Sequence, residues 1–240
     1  SLCFTLRNEF LRHIELTISA RLSDYDKKYL KSILDDEATI IDYQFALGKL
    51  SAMLSKHYGR NVIVIIDEYD TPIQQGHIFG YYDEVIGFMR NLLSAVLKDN
   101  PSLELGILTG ILRIAKESLF SGLNNLVVNT ILDDEYSQYF GFTEEEVASL
   151  CEKYKMDGEE VKCWYDGYSF DKVPAVYSPR SVVSCMRFGK IGNYWNQTET
   201  FEALKIYIDM NFDGLREDVL SMMAGESVPV NTGSFINDMA

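Results

Sequence analysis

Five aliphatic residues in a row, Val62-Ile63-Val64-Ile65-Ile66, break off into Asp67 and Glu68, followed by Tyr69-Asp70-Thr71-Pro72. All are β-branched, which predicts a strand buried on both faces, as in a parallel sheet with helices on each side. Pro72 and the polar turn residues stop the strand, so the two carboxylates sit at its carboxyl end. Upstream, Phe10, Leu11, Ile14 and Ile18 recur at helical spacing and predict an amphipathic helix over 4–21. A mostly charged helix follows over 24–34. A third, over 42–57, carries Phe45, Leu47, Leu50, Met53 and Leu54, with Gly59 just past its end for a left-handed cap.

Downstream, Val85, Phe88, Met89, Leu92, Leu93 and Val96 keep the helical period over 81–98, and Asn100-Pro101 ends it. Residues 103–109 predict a second apolar strand, completing a strand–helix–strand unit. A loop at 122–125 leads to a third candidate strand at 126–128. Beyond Phe140 the pattern changes. Thr143-Glu144-Glu145-Glu146 is a capping box that opens a helix to about Lys155. A helix over 158–165 leads to a hairpin, 168–170 and 175–177, turning at 171–174. Ser178-Pro179 then supplies an N-cap and an N1 proline for a helix through Val182 and Met186. The expectation is an α/β core over 1–139, and over 140–240 a small winged-helix-like α/β lid module with a C-terminal helical segment.

Composition narrows the function classes. The chain has 240 residues, 47% hydrophobic and 24% charged, enough for one large domain or a core with a satellite. It holds no run of about 18 apolar residues, so no membrane partner is expected. Ser1-Leu2-Cys3-Phe4 lacks the basic start of a signal peptide, and Arg7, Glu9 and Arg12 interrupt at once. Cys3, Cys151, Cys163 and Cys185 share no paired spacing, which fits a reducing cytoplasm better than metal ligation or disulfides. His13, His57 and His77 read as surface or boundary residues. The net charge of −14 disfavours direct nucleic-acid binding.

The candidate chemistry centres on Asp67 and Glu68. Open α/β sheets bind ligands at the carboxyl ends of their strands. A strand can end in an acid simply because the chain re-enters water, but two adjacent acids exceed that need. Their position matches the Walker B site of P-loop NTPases, where the Asp holds Mg²⁺ and a following Glu activates the attacking water. Thr109, Gly110 and Arg113, at and after the end of the second strand, fit a phosphate-sensor region. A surface turn followed by an ordinary Arg is the plainer reading of those three. The phosphate loop GxxxxGK[ST] is missing: Gly48-Lys49 is followed by Leu50 and Gly189-Lys190 by Ile191, without the earlier glycine. Glu160-Val161-Lys162 has the letters of a PD-(D/E)xK nuclease triplet but falls in a predicted helix. Asn196-Gln197-Thr198 fits a glycosylation sequon by chance. Trp164, Tyr165, Tyr168, Phe170 and Tyr177 read as packing of the small module.

Several blocks together resemble the predicted AAA-ATPase-like family. They are Ile66-Asp67-Glu68-Tyr69-Asp70-Thr71-Pro72-Ile73, Gly80-Tyr81-Tyr82, Phe88-Met89-Arg90-Asn91-Leu92, the stretch from Leu108 to Ser118, Phe120-Ser121-Gly122-Leu123-Asn124-Asn125, Tyr139-Phe140-Gly141-Phe142-Thr143 and Trp164-Tyr165-Asp166-Gly167-Tyr168. The resemblance implies a P-loop core of the archaeal or signalling (STAND-like) ATPase type, a winged-helix lid, and often a C-terminal PD-(D/E)xK nuclease-like domain. It implies Asp67 as the Mg²⁺-associated acid, through water, and Glu68 as the water-activating acid. Thr109 and Arg113 fall in the sensor region, and MgATP is the implied ligand. The Walker A lysine and hydroxyl have no counterpart. A sheet without that central strand would expose strand edges. The expectation is therefore a fragment of a longer gene product, inactive alone, with ATP hydrolysis in the longer protein. A non-catalytic interaction scaffold with a degenerate ATPase fold is the alternative.

Overall fold

The computed structural model describes residues 2–110, 119–120, 123, 126–130, 133, 135–170, 173–195 and 215–229. The chain divides into two compact units, one ending at Leu126 and the next beginning at Val127. Arg113 and the sequon at Asn196 lie outside the described residues.

The first unit is a set of helices packed on a strand pair. Helices α1 (Leu2–Arg12), α2 (Asp24–Leu34), α3 (Ile40–Gln44) and α4 (Ala46–Tyr58) precede strand β1 (Val62–Ile66). Helices α5 (Thr71–Phe79) and α6 (Tyr82–Leu97) connect it to β2 (Leu103–Leu108), which pairs with β1 in parallel. The core gathers Phe10, Leu16, Leu30, Ile33, Met53 and Leu93, all essentially without solvent exposure.

The first predicted helix is two pieces. It breaks at His13, and a 3-10 segment, Ile14–Ile18, turns Leu16 into the core. Ile14 and Ile18, expected on the buried face, are 54% and 85% exposed. No glycine or proline marks the break; burial of Leu16 decides it. The helix expected over 42–57 also starts earlier and divides at Phe45. Thr39 opens α3 with a capping box that uses Asp42 at the third helical position, and Ser23 does the same for α2 with Asp26. Aspartate fills the place usually taken by Glu or Gln, which hides both boxes from the pattern. Gly59 closes α4 at φ 71°, as its position predicted.

Strand β1 departs from the two-faced burial its aliphatic run predicted. Val62 and Ile66 pack on the helical core, whereas Ile63 and Ile65 are 57% and 68% exposed. Leu105 and Ile107, their register partners on β2, are also exposed. Among the described residues the sheet has only these strands, and helices cover one face. With helices on one side of the pair only, alternate aliphatic side chains of β1 have nothing among the described residues to pack against.

The second unit builds a three-stranded antiparallel sheet in the order β3-β5-β4, from β3 (Phe142–Thr143), β4 (Asp166–Phe170) and β5 (Val173–Tyr177). Helices α7 (Glu144–Tyr154) and α8 (Gly158–Tyr165) lie between β3 and β4, and α9 (Pro179–Phe188) follows β5. A further helix, α10, spans Leu215–Met223. Helix α7 has the predicted Thr143–Glu146 capping box, and Asp157 caps α8. Val161, Val182 and Cys185 are fully buried in its core. The candidate strand at 126–128 is not formed; residues 126–130 have no regular structure, and Val127 is 77% exposed. Isolated from a partner strand, three aliphatic residues have no ladder to join. Among the described residues, no helix is long and apolar enough to cross a membrane.

Candidate functional site

The site is built by the register of the parallel strand pair. Ile66 lies opposite Leu108, so the next residues, Asp67 and Thr109, leave the sheet side by side. Backbone bonds continue the pairing past the strands: Thr109 N–H donates to Ile66 O at 2.9 Å, and Tyr69 N–H to Thr109 O at 3.0 Å. The Thr109 hydroxyl donates to Asp67 Oδ1. Glu68 N–H donates to the same oxygen at 3.0 Å. Asp67 is thus held by two donors while remaining exposed. Asp67, Glu68 and Thr109 thus lie together at this end of the strand pair, and Arg113 lies outside the described residues.

Glu68 has a feature the sequence does not announce. Its φ is +52°, a left-handed conformation on a residue with a full side chain. Such a conformation costs about 1–2 kcal/mol, and persists where the surroundings enforce it. Here the enforcement is local. Thr71 N–H donates to Glu68 O at 3.1 Å, and α5 begins at Thr71 with Pro72 in its first turn. The tight turn leaves the Glu68 carboxylate exposed, near the amino end of α5, where the helix dipole favours negative charge.

Asp70, which carried no assigned role in the sequence pattern, is the buried acid of the turn, at 1% exposure. Gln74 Nε2 donates to its Oδ2 at 3.0 Å, and Gln74 N–H to its carbonyl at 2.9 Å. A Cβ added to Gly110 would lie 2.7 Å from Asp70 Oδ1 and 2.7 Å from the Tyr69 ring. Glycine is therefore required where the chain leaves Thr109. Tyr69 in turn meets Phe120 edge-on, with ring centroids 5.5 Å apart. The signal available beforehand was a third acid immediately before Thr71-Pro72, an N-cap position.

Other candidates disperse. His57 Nδ1 lies 2.8 Å from the Ser19 hydroxyl, and His13 stands between Glu9 and Glu15 at 3.6 Å from each. His77 is on the exposed side of α5. Glu160, Val161 and Lys162 are in α8, as predicted, and not on a strand. Among the described residues no group of three or more His, Cys, Asp or Glu side chains could enclose a metal ion. The acidic turn offers one oriented carboxylate and one exposed carboxylate next to it, open to solvent.

A family model described as "Predicted AAA-ATPase" matches residues 4–120, which include α1 to β2 and the turn. The chain is 33% identical over 156 residues to an uncharacterized protein in the vnfD 5′ region of Azotobacter chroococcum mcd 1. That match takes in 64% of this chain and 30% of the relative, so the chain spans under a third of the length of the curated relative it matches. No solved structure matches.

Proposed function

We propose that the first unit is the metal-and-water half of an ATP-hydrolysing core of the AAA-like kind, completed by a phosphate-binding loop from outside this sequence. The observation that carries this reading is the paired strand ends. Asp67 is oriented by the Thr109 hydroxyl, and Glu68 stands exposed on the same turn. The family match over 4–120 supports it. So does the open apolar face of Ile63, Ile65, Leu105 and Ile107, which has the character of a sheet with a layer still to be added.

The residues present fit Mg²⁺ that arrives with a nucleotide. They do not form a closed cage, and Mg²⁺ is commonly held by one or two carboxylates together with substrate phosphates and water. Asp67 Oδ1 takes the Thr109 and Glu68 donors, which leaves Oδ2 to hold the hydrated ion. Mg²⁺ bound there would neutralise charge on the phosphates. The chain's own part is to orient and to move a proton. Thr109 fixes the Asp67 carboxylate. Glu68 takes the proton of a water whose oxygen bonds to the terminal phosphorus as the bond to the ADP oxygen breaks. The strand–helix–helix–hairpin order of the second unit, with β3 paired to β5, supports reading it as a winged-helix-like lid.

A second reading is a non-catalytic interaction scaffold on a degenerate ATPase fold. It is favoured by the absence from the sequence of GxxxxGK[ST], without which the phosphates lack their backbone cradle. Calorimetric titration of the longer gene product with MgATP, alongside a hydrolysis assay, separates the two. Binding with turnover that falls about 10²- to 10⁴-fold in Glu68→Gln supports the enzyme. No binding by the longer product supports the scaffold.

A further inference from the structure

The amino end of the strand pair is irregular, and the irregularity places a charge. Val62 lies opposite Leu103 and Ile63 opposite Leu105, so Glu104 faces no residue of β1. The alternation of β2 breaks with it, and Glu104 and Leu105 are exposed in succession. An extra residue of this kind re-aims a side chain, and such bulges gather beside functional sites. On the other strand, Gly59 closes α4 in the left-handed conformation, and Arg60 and Asn61 lead, exposed, into Val62.

Arg60, Asn61 and Glu104 line one cleft of about 550 Å³. The size is that of a small-ligand site, about 300–1,000 Å³. Its apolar surface comes from Leu54, Val62 and Ile63. His13 and Tyr58 complete the wall, and both are held by other residues. His13 stands between Glu9 and Glu15. The Tyr58 hydroxyl donates to Glu15 Oε1 at 3.0 Å, and its ring meets the His57 ring edge-on at 4.6 Å. Arg60, Asn61 and Glu104, by contrast, have no side-chain hydrogen bond or ion pair among the described residues. The guanidinium and the carboxylate thus line the same cleft without pairing with each other.

We propose that this cleft binds a free amino acid with an apolar side chain. The α-carboxylate sits on Arg60, the α-ammonium on Glu104, and the side chain against Leu54, Val62 and Ile63. A guanidinium takes a carboxylate through two parallel donors, and a carboxylate takes an ammonium by charge-assisted hydrogen bonds. Asn61 adds a carboxamide with a donor and an acceptor. A ligand of one charge would leave the opposite charge desolvated without a partner, and an uncharged one would leave both so. The cleft is at the end of β1 away from the Asp67–Glu68 turn, about 15 Å along the strand. The proposal does not depend on the ATPase reading.

Both tryptophans, Trp164 and Trp195, lie in the second unit, so binding to the whole chain is read by calorimetry and by backbone amide chemical shifts. The titrations are run at about pH 7, where both α groups of an amino acid are charged. L-Leucine and L-phenylalanine should bind saturably and shift the amides of 60–63 and 103–105. Leucinamide lacks the carboxylate, isocaproate lacks the ammonium and glycine lacks the side chain. Each should bind about tenfold or more weakly than leucine. Arg60→Gln and Glu104→Gln should each weaken leucine binding about tenfold. Arg60→Gln should leave leucinamide binding unchanged, and Glu104→Gln should leave isocaproate binding unchanged. Both residues are exposed, so circular dichroism of the variants should match the parent. Lys162→Met, in the second unit, should bind leucine as the parent does. No saturable binding of either amino acid, leucinamide, isocaproate or glycine binding as tightly as leucine, or full leucine affinity in either cleft variant overturns the proposal.

Discussion

The two units treat their sheets in opposite ways. In the second, the middle strand β5 ends in Ala175, Val176 and Tyr177, all buried, and a three-stranded sheet is covered by its own helices. In the first, the more hydrophobic strand β1 leaves Ile63 and Ile65 exposed and turns sharply into Asp67 and Glu68. A strand pair alone is marginal, so β1 and β2 depend on the helices beneath them. The lesson is that aliphatic content alone does not tell how complete a sheet is. The covered sheet keeps its aliphatic residues inside, while the strand pair with one uncovered face carries the exposed acids.

The largest effects should divide the units. Phe10→Ala removes a fully buried ring from the first core and Met186→Ala a buried side chain from the second. Costs of about 3–5 and 2–5 kcal/mol are expected. In denaturant titrations, tryptophan fluorescence follows only the second unit. Phe10→Ala should move the circular dichroism transition and leave the fluorescence midpoint in place, and Met186→Ala should move fluorescence. If each variant shifts both signals equally, the units unfold as one block and the contrast between them is lost.

A smaller change tests the turn. Thr109→Val keeps the shape of the side chain but removes the donor to Asp67. If the longer gene product hydrolyses ATP, turnover should fall about tenfold or more, as for loss of a hydrogen bond to a charged group. Unchanged turnover would remove Thr109 from the mechanism. The open face is tested by Ile65→Lys, at a side chain 68% exposed. Within this chain the stability change should stay within about 0.5 kcal/mol. In a longer product whose added layer covers the sheet, the same lysine should be strongly destabilising. Equal tolerance in both would mean that the face stays open.

The smallest effect concerns ion pairs. Burial pushes the Asp26 carboxyl up, but the Lys56 ammonium at 2.8 Å and the Ser23 donors outweigh it and hold it below its usual 3.8. A carboxyl depressed in the folded state adds stability above its unfolded value, and that stability is lost as pH falls through the folded value. Lys56→Met should therefore flatten the acid limb of the first unit's stability below about pH 4, by roughly 0.5 kcal/mol since Lys56 is half exposed. Lys162→Met, which removes the exposed pair with Glu144 in the second unit, should change nothing measurable.

Much of the fold was legible because its signals are local. The α2 span, the β1 span, the α7 capping box, α8 and the hairpin follow from period, caps and turn residues close in sequence. Helix α5 was not anticipated, although Thr71-Pro72 at its start and Gly80 at its end are ordinary helix limits. In the sequence those residues read as the stop to a strand. The break at His13 could not be read, because it depends on where Leu16 finds its core.

The sequence by itself determined that two acids end an aliphatic strand, with Thr109 at the end of the next. Strand ends are marked by residues adjacent in the chain, and a parallel pairing brings such ends together. Only the tertiary structure decided that Thr109 grips Asp67, that Glu68 is held at positive φ, and that Asp70 rather than Glu68 is the buried acid. It also decided that two of the strand's five aliphatic side chains, Ile63 and Ile65, face outward. The grip of Thr109 on Asp67 and the outward face of β1 rest on contacts, made or lacking, between residues distant in sequence, whose energies no local pattern carries; the Glu68 turn is closed locally, by Thr71, but no residue type in the sequence marks it.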